Sequence, residues 1–357
     1  MENVTALLNR TYNYTSTDTD TIRIVHTFSL VAYAVSFLLG TTGNGLVIWI
    51  AGLKMKKTVS VVLFLNLAIA NFILLSFLPL RITSFALNFH WPFGNFLCKL
   101  NSSIVFVNMF VSVFLLTVIS IDRCVCVVFP VWTQKHRTSA MASMVAIILW
   151  ICAVLFSVSY FIMRRTSGSE GYVSCVTNFH KTDYDTYVLR YRVTVILRFM
   201  CGFFIPFTVI AVCGSVIILR LRRNRFTVLT KPFKVIIAVL ISFFFSWLPF
   251  HVISFLKMSY ISGEGNTLKS VEIGFPIASS LAYLSSCINP LLYVFIGQDF
   301  KATFTTPIQI NLENAFSEDI VRCDYMSKSV TTLVSNCTPH YPAKGRIDSF
   351  DTEILEG

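Results

Sequence analysis

The chain has 357 residues, of which 55% are hydrophobic and only 13% charged, with a mean hydropathy of +0.68 and a net charge of +11. Soluble domains carry roughly 25% charged residues, so this chain has too few polar groups to shield its apolar surface from water. A water-soluble enzyme or a nucleic-acid module is excluded on that ground, and the lipid bilayer is the expected solvent.

In chain order, residues 1–27 are polar, hold no apolar stretch before a small-residue cleavage site, and carry Asn-x-Ser/Thr acceptors at Asn3, Asn9 and Asn13. Such acceptors are used on the lumenal side, so the N-terminus is expected outside. A spanning helix needs ~20 mostly apolar residues. Seven windows satisfy this: Phe28–Ala51, Val59–Leu80, Leu100–Ile121, Ala140–Met163, Phe199–Leu219, Val235–Leu256 and Ile273–Ile296, none with Asp, Glu, Lys or Arg. Long runs without alternation predict helices rather than barrel strands, hence an all-α seven-helix membrane bundle. With an odd number of spans the C-terminus lies inside. The inner loops would then carry Lys54, Lys56, Lys57, Arg123, Lys135, Arg137 and the run RLRRNRFTVLTKPFK, a modest positive-inside bias given Arg164, Arg165, Lys181, Arg190 and Arg192 outside. The positive charge therefore reads as membrane-facing loops, with no nucleic-acid partner.

Of the 10 cysteines, Cys152, Cys201, Cys213 and Cys287 sit within these spans, where they act as small apolar residues. Cys98 and Cys175 fall in outer segments, where a bridge would tie the top of span three to the loop before span five; the alternative is two separate thiols. No cofactor or metal-ligand pattern is present. Several spans carry groups that lipid disfavours: Asn44 in GNGLVIW, Asn71 in NLAIAN, Trp150, Pro206, Trp247 and Pro249 in FSWLPF, and Asn289-Pro290 with Tyr293 in NPLLYVF. Prolines place kinks and free backbone carbonyls, while intramembrane Asn seeks partners across a bundle. The acid–base pair Asp122-Arg123 ends the uncharged run LNSSIVFVNMFVSVFLLTVISI, where span three leaves the hydrocarbon.

These constellations together resemble the rhodopsin-like (class A) G-protein-coupled receptors. The strings GNGLVIWIAGLKM, HWPFGNFLCK, IDRCVCVVFPVWTQKHRT and NPLLYVFIGQDF are closest to the formyl peptide receptor family of chemoattractant receptors. The resemblance implies a ligand pocket open to the outside and coupling to a heterotrimeric G protein, of the inhibitory class, at the inside. It further implies that Arg123 is held by Asp122 at rest and released when the sixth helix swings outward. Trp247, Pro249, Asn289, Pro290 and Tyr293 would belong to the same switch.

Departures from that pattern are as informative. Asn71 stands where the class has an Asp that, with the positions of Ser112 and Asn289, holds sodium, so an altered sodium site is expected. Gly214 replaces a Tyr of span five, and Ser246 replaces the Cys before Trp247. In the pocket, Phe106 replaces an Asp and Thr194 an Arg of typical formyl peptide receptors, while their second Arg is kept as Arg198. Arg198 and Arg81 could pair with a peptide carboxylate or another small anionic ligand, although Arg81 could equally snorkel at the interface. Phe106, Met109, Phe250 and His251 read as an apolar wall, with His251 more readily a hydrogen-bonded structural residue. An amine ligand is disfavoured by Val105 and a retinal Schiff base by Tyr283.

After the last span, GQDFKATFT (within 297–306) suits a short amphipathic helix on membrane lipids. Residues 307–357 read as a cytoplasmic regulatory tail, where Ser327, Ser329, Thr331 and Thr332 are candidates for receptor kinases and arrestin. A receptor signalling in chemotaxis, inflammation or chemosensing is the leading expectation. A non-signalling or arrestin-biased scavenging receptor is the alternative, motivated by Asn71 and Gly214. A transporter would need midplane acids, which the spans lack, and no enzyme motif occurs.

Overall fold

The computed structural model describes residues 16–169, 171–177, 184–223, 231–262 and 268–296. The glycosylation acceptors, the juxtamembrane segment and the regulatory tail lie outside the described residues. Span one is α1 (Ser16–Trp49), ending in a π turn, Ile50–Lys54. Span two is broken into α2 (Val59–Ser76) and α3 (Leu78–Ala86), and span three is α4 (Gly94–Val128). After the short α5 (Pro130–His136) come span four, α6 (Ser139–Met163), and a hairpin of β1 (Arg164–Ser169) and β2 (Tyr172–Thr177). Span five joins α7 (Tyr184–Phe199) to α8 (Ile205–Arg223) through a π turn, Met200–Phe204. Spans six and seven are α9 (Lys231–Ile261) and α10 (Leu268–Ile296). Among the described residues, 7 helical segments are long and apolar enough to cross a bilayer. The all-α bundle expected from the sequence is thus the observed fold, with one antiparallel hairpin added.

Helices overrun the apolar windows. Span three continues past Ile121 to Val128, so Asp122-Arg123 lies inside a helix rather than at its end. Span two restarts after Phe77, with Pro79 near the start of α3, where a missing N–H costs nothing. Pro206 follows the π turn of span five, a wider turn that can take up the carbonyl a proline ring would clash with. Pro249, Pro276 and Pro290 sit within helices that continue through them.

Close packing rests on small residues. A Cβ on Gly40 would lie 2.4 Å from Leu75 Cδ1 and 2.8 Å from Cys287 Sγ, so Gly40 is where α1 presses against spans two and seven. Asparagines join the helices where no apolar gain can. Asn44 Nδ2 donates to the Ser286 carbonyl at 3.0 Å, Trp150 Nε1 donates to Asn66 Oδ1 at 3.1 Å, and Asn108 Nδ2 donates to Asn71 Oδ1 at 3.0 Å. At one end of the bundle a disulfide joins Cys98 of α4 to Cys175 of β2, with their Cα atoms 5.7 Å apart. The hairpin is also stitched to the loop before α4, where the Trp91 N–H donates to the Val173 carbonyl and the Val173 N–H to His90 Nδ1. The hairpin therefore stays fixed over one end of the bundle.

Candidate ligand cleft and buried arginine cluster

Beneath the hairpin, spans two, three, six and seven leave a narrow cleft of about 50 Å³. Arg81, Phe106 and Phe250 line it, as do Arg164, Phe275 and Tyr283, and Trp247 closes its floor. Arg81 comes from α3, turned inward beyond the Phe77 break, with its guanidinium 5.7 Å from the Tyr33 ring. Arg164 enters as the first residue of β1 and donates from Nη1 to the Cys175 carbonyl, so the disulfide-held strand positions it. Burial, and after it the charge of Arg81, lower the Arg164 pKa to about 10. Two cations thus face one cleft. Neither they nor Arg198 have a carboxylate within ion-pair distance among the described residues. Arg81 and Arg164 are half-buried, and charge held partly out of water without a counter-ion is costly, so an anionic ligand would relieve this site.

The other pocket candidates lie behind this surface. Phe106 stacks on Tyr160 with centroids 3.5 Å apart, and Arg198 packs on the far side, 5.3 Å from Phe106 and 4.9 Å from Phe250. Arg198 does not line the cleft; it faces a separate cavity between spans four and five. Met109 is fully buried against Gly202, and His251 is held between the rings of Phe199 and Phe203. The hydrogen bond that the sequence suggests for His251 is not made by its buried Nε2, which has no partner; contacts with the two phenylalanine rings hold it instead. Arg164 and Tyr160 were not among the sequence candidates. The only hint was the pair Arg164-Arg165 directly after an uncharged span.

Trp247 also walls a second, polar cavity with Asn71, Asn108, Ser112, Ser285 and Ser286. One side chain therefore separates the ligand cleft from the position of the altered sodium site. In that cavity Asn71 Nδ2 and Ser112 Oγ have no protein partner. The two groups are neutral, whereas a bound cation needs oxygen ligands with charge among them. Asn289 and Tyr293 belong to the backbone of α10, but their side chains are outside the described set.

At the opposite end, Arg123 is buried and donates to Ser60 Oγ of α2, and Asp122 Oδ2 lies 3.9 Å from its Nε. Asp122 has a nearer partner. Arg137, just past α5, donates from Nε to Oδ1 at 2.7 Å and from Nη2 to Oδ2 at 2.9 Å. The expected pair is therefore a cluster in which the loop after span three shares the acid.

A bundle with a covered cleft at one end and a buried Arg cluster at the other has the architecture of a membrane receptor. The chain belongs to the rhodopsin family of seven-transmembrane receptors, whose family model matches residues 43–293. It is 41% identical to chemerin-like receptor 1 of Homo sapiens over 85% of this chain and 84% of that protein. It is 39% identical to the C3a anaphylatoxin chemotactic receptor of Danio rerio, covering 89% and 86%, and 39% identical to formyl peptide receptor 2 of Mus musculus, covering 88% and 92%. Membership makes the chain a multi-pass membrane receptor of chemoattractant type, with an extracellular ligand and a G protein as partners, and not an enzyme.

Proposed function

We propose that this receptor detects an extracellular peptide bearing an exposed carboxylate and activates an inhibitory-class G protein in chemoattractant signalling. The observation that carries the reading is the pair Arg81 and Arg164, two cations in one cleft without an acid partner among the described residues. The apolar walls of Phe106, Phe250 and Phe275 suit the side chains of such a peptide. Relatives named for chemerin, C3a and formyl peptides support a peptide ligand without choosing among them. Phe106 in place of an acid argues against formyl-peptide recognition by a charged set. On this reading the N-terminus is outside, the C-terminus is inside, and kinases and arrestin act on the tail. Ligand contact reaches Trp247, shifts the polar cavity behind it, and biases the Asp122–Arg123–Arg137 cluster.

The test is G-protein dissociation in cells expressing the full chain, challenged with short apolar peptides as free acids and as C-terminal amides. A response to the acids, reduced in Arg81→Gln and Arg164→Gln and abolished in Arg123→Ala, is expected. Equal responses to acids and amides would remove the carboxylate reading. Arrestin recruitment without G-protein dissociation would instead favour a scavenging receptor.

A further inference from the structure

We propose that the crevice between spans four and five is a second ligand site, open to the bilayer, which takes a single-chain lipid carboxylate with its head group on Arg198. The cavity has a volume of about 370 Å³, and its walls include Phe110, Phe156, Tyr160, Val193 and Leu197. Phe156, Val193 and Leu197 are 43%, 46% and 52% exposed, so the mouth of the crevice turns toward lipid rather than toward the extracellular cleft. Among the described residues no acid lines it, and its cations are Arg190, exposed at one end, and Arg198, 6% exposed at its inner wall.

Arg198 is the reason to expect an anion. Its Nη1 donates to Tyr160 Oη at 3.3 Å, a long bond, and its buried Nε has no acceptor. No carboxylate of the described chain lies within ion-pair distance of it. A guanidinium so placed is stabilised by the rings of Phe250, Phe106 and Tyr160, at 4.9, 5.3 and 5.9 Å, but its charge is not neutralised. A carboxylate arriving from the lipid side would take up the free N–H, while its chain covers the apolar walls.

The shape favours one chain over two. Arg198 follows Arg190 by two helical turns, ~12 Å along α7, so the anchoring charge lies well below the rim. A phospholipid keeps its phosphate at the interface, whereas a free fatty acid can turn its head sideways between two helices. Phe106 and Phe250, which Arg198 touches, are walls of the ligand cleft, so an occupied crevice would be felt there. The site itself does not depend on which ligand the cleft binds.

The experiment uses the full chain in membranes and an 18-carbon fatty acid carrying a diazirine and a terminal alkyne, beside the same chain ending in an alcohol. After irradiation, saturable labelling on α6 and α7, competed by unlabelled acid, is expected in the wild type. The alcohol, and Arg198→Gln with the acid, should label roughly 10-fold less. Val193→Trp, which fills the mouth with an outward-facing side chain, should also lose the label, whereas Arg81→Gln should keep it. Equal labelling by acid and alcohol would mean simple partition into lipid and would overturn the proposal. So would labelling unchanged in Val193→Trp, an arm that decides the matter should Arg198→Gln fail to reach the membrane. Label found in the cleft and lost in Arg81→Gln would overturn it too.

Discussion

Asp122 holds Arg137 by two bonds of 2.7 and 2.9 Å, while its neighbour in sequence, Arg123, stays 3.9 Å away. Ser60 Oγ accepts from both arginines, so the three charges and one hydroxyl form a single cluster linking α2, α4 and the segment after α5. One acid divided between two cations restrains each less than it would restrain one alone. Removing Arg137 should therefore tighten the hold on Arg123. Arg137→Ala is expected to lower basal and agonist-driven G-protein dissociation, by about 1 kcal/mol or roughly fivefold in agonist potency. Asp122→Asn should do the reverse and raise basal activity. Dose–response curves at matched surface expression check both, and a fivefold gain in Arg137→Ala would refute the shared-acid account.

Sodium should not regulate this receptor. Asn71 offers the polar cavity a neutral amide whose oxygen already accepts one bond from Asn108, and Ser112 adds one neutral oxygen. Replacing Asn71 by Asp puts a carboxylate beside Ser112 and Trp247, which favours a cation there. Agonist affinity measured in sodium chloride and in an equal concentration of an organic-cation chloride should agree for the wild type. In Asn71→Asp, sodium should weaken agonist binding by several-fold, a coupling of about 1 kcal/mol. Sodium sensitivity in the wild type would contradict the reading.

The fold was legible because bilayer thickness is a hard constraint: uncharged runs such as Leu100–Ile121 can only cross it as helices. The disulfide was legible because Cys98 and Cys175 alone fell in outer segments. What the one-dimensional pattern could not supply was depth. Phe106, Met109 and His251 are all apolar or weakly polar on inner faces, yet only Phe106 reaches the cleft, because Met109 fills the space over Gly202 and His251 sits among phenylalanines. The sequence marks Arg198 as a cation able to pair with an anionic ligand, but the side of the aromatic wall on which it lies depends on the stacking of Phe106 on Tyr160. Arg137 looked like one more inner-loop charge, since its bond to Asp122 spans 15 residues and needs α5 to turn the chain back.

Two glycines should answer the same substitution in opposite ways. Gly40→Ala pushes a methyl into Leu75 and Cys287, both buried, and overpacking of this kind costs about 1–3 kcal/mol. Gly214 has nothing within 4 Å of a Cβ, so Gly214→Ala meets open space and gains helix propensity of up to ~1 kcal/mol. Thermal unfolding of purified receptor should show Gly40→Ala falling by several degrees and Gly214→Ala holding or rising. A rise in both would mean that α1 packs less closely than the structure has it.

Phe106 should be the residue that keeps formylated peptides out. Its ring occupies the space between Tyr160 and Phe250, and Arg198 lies behind it at 5.3 Å. Aspartate at 106 is shorter and charged; it opens a path from the cleft to Arg198 and offers that guanidinium an acid. The variant loses the burial of one phenylalanine, about 2–3 kcal/mol, partly offset by the new ion pair, so reduced but measurable surface expression is expected. With that expression matched, formylated peptides should evoke G-protein dissociation in Phe106→Asp and fail to do so in the wild type, while the unformylated versions stay weak in both. Arg123→Ala added to Phe106→Asp should silence the response, which ties it to the switch rather than to altered trafficking. A wild-type response to formylated peptides equal to that of Phe106→Asp would mean that recognition runs through Arg81 and Arg164 alone, and the aromatic wall is no barrier.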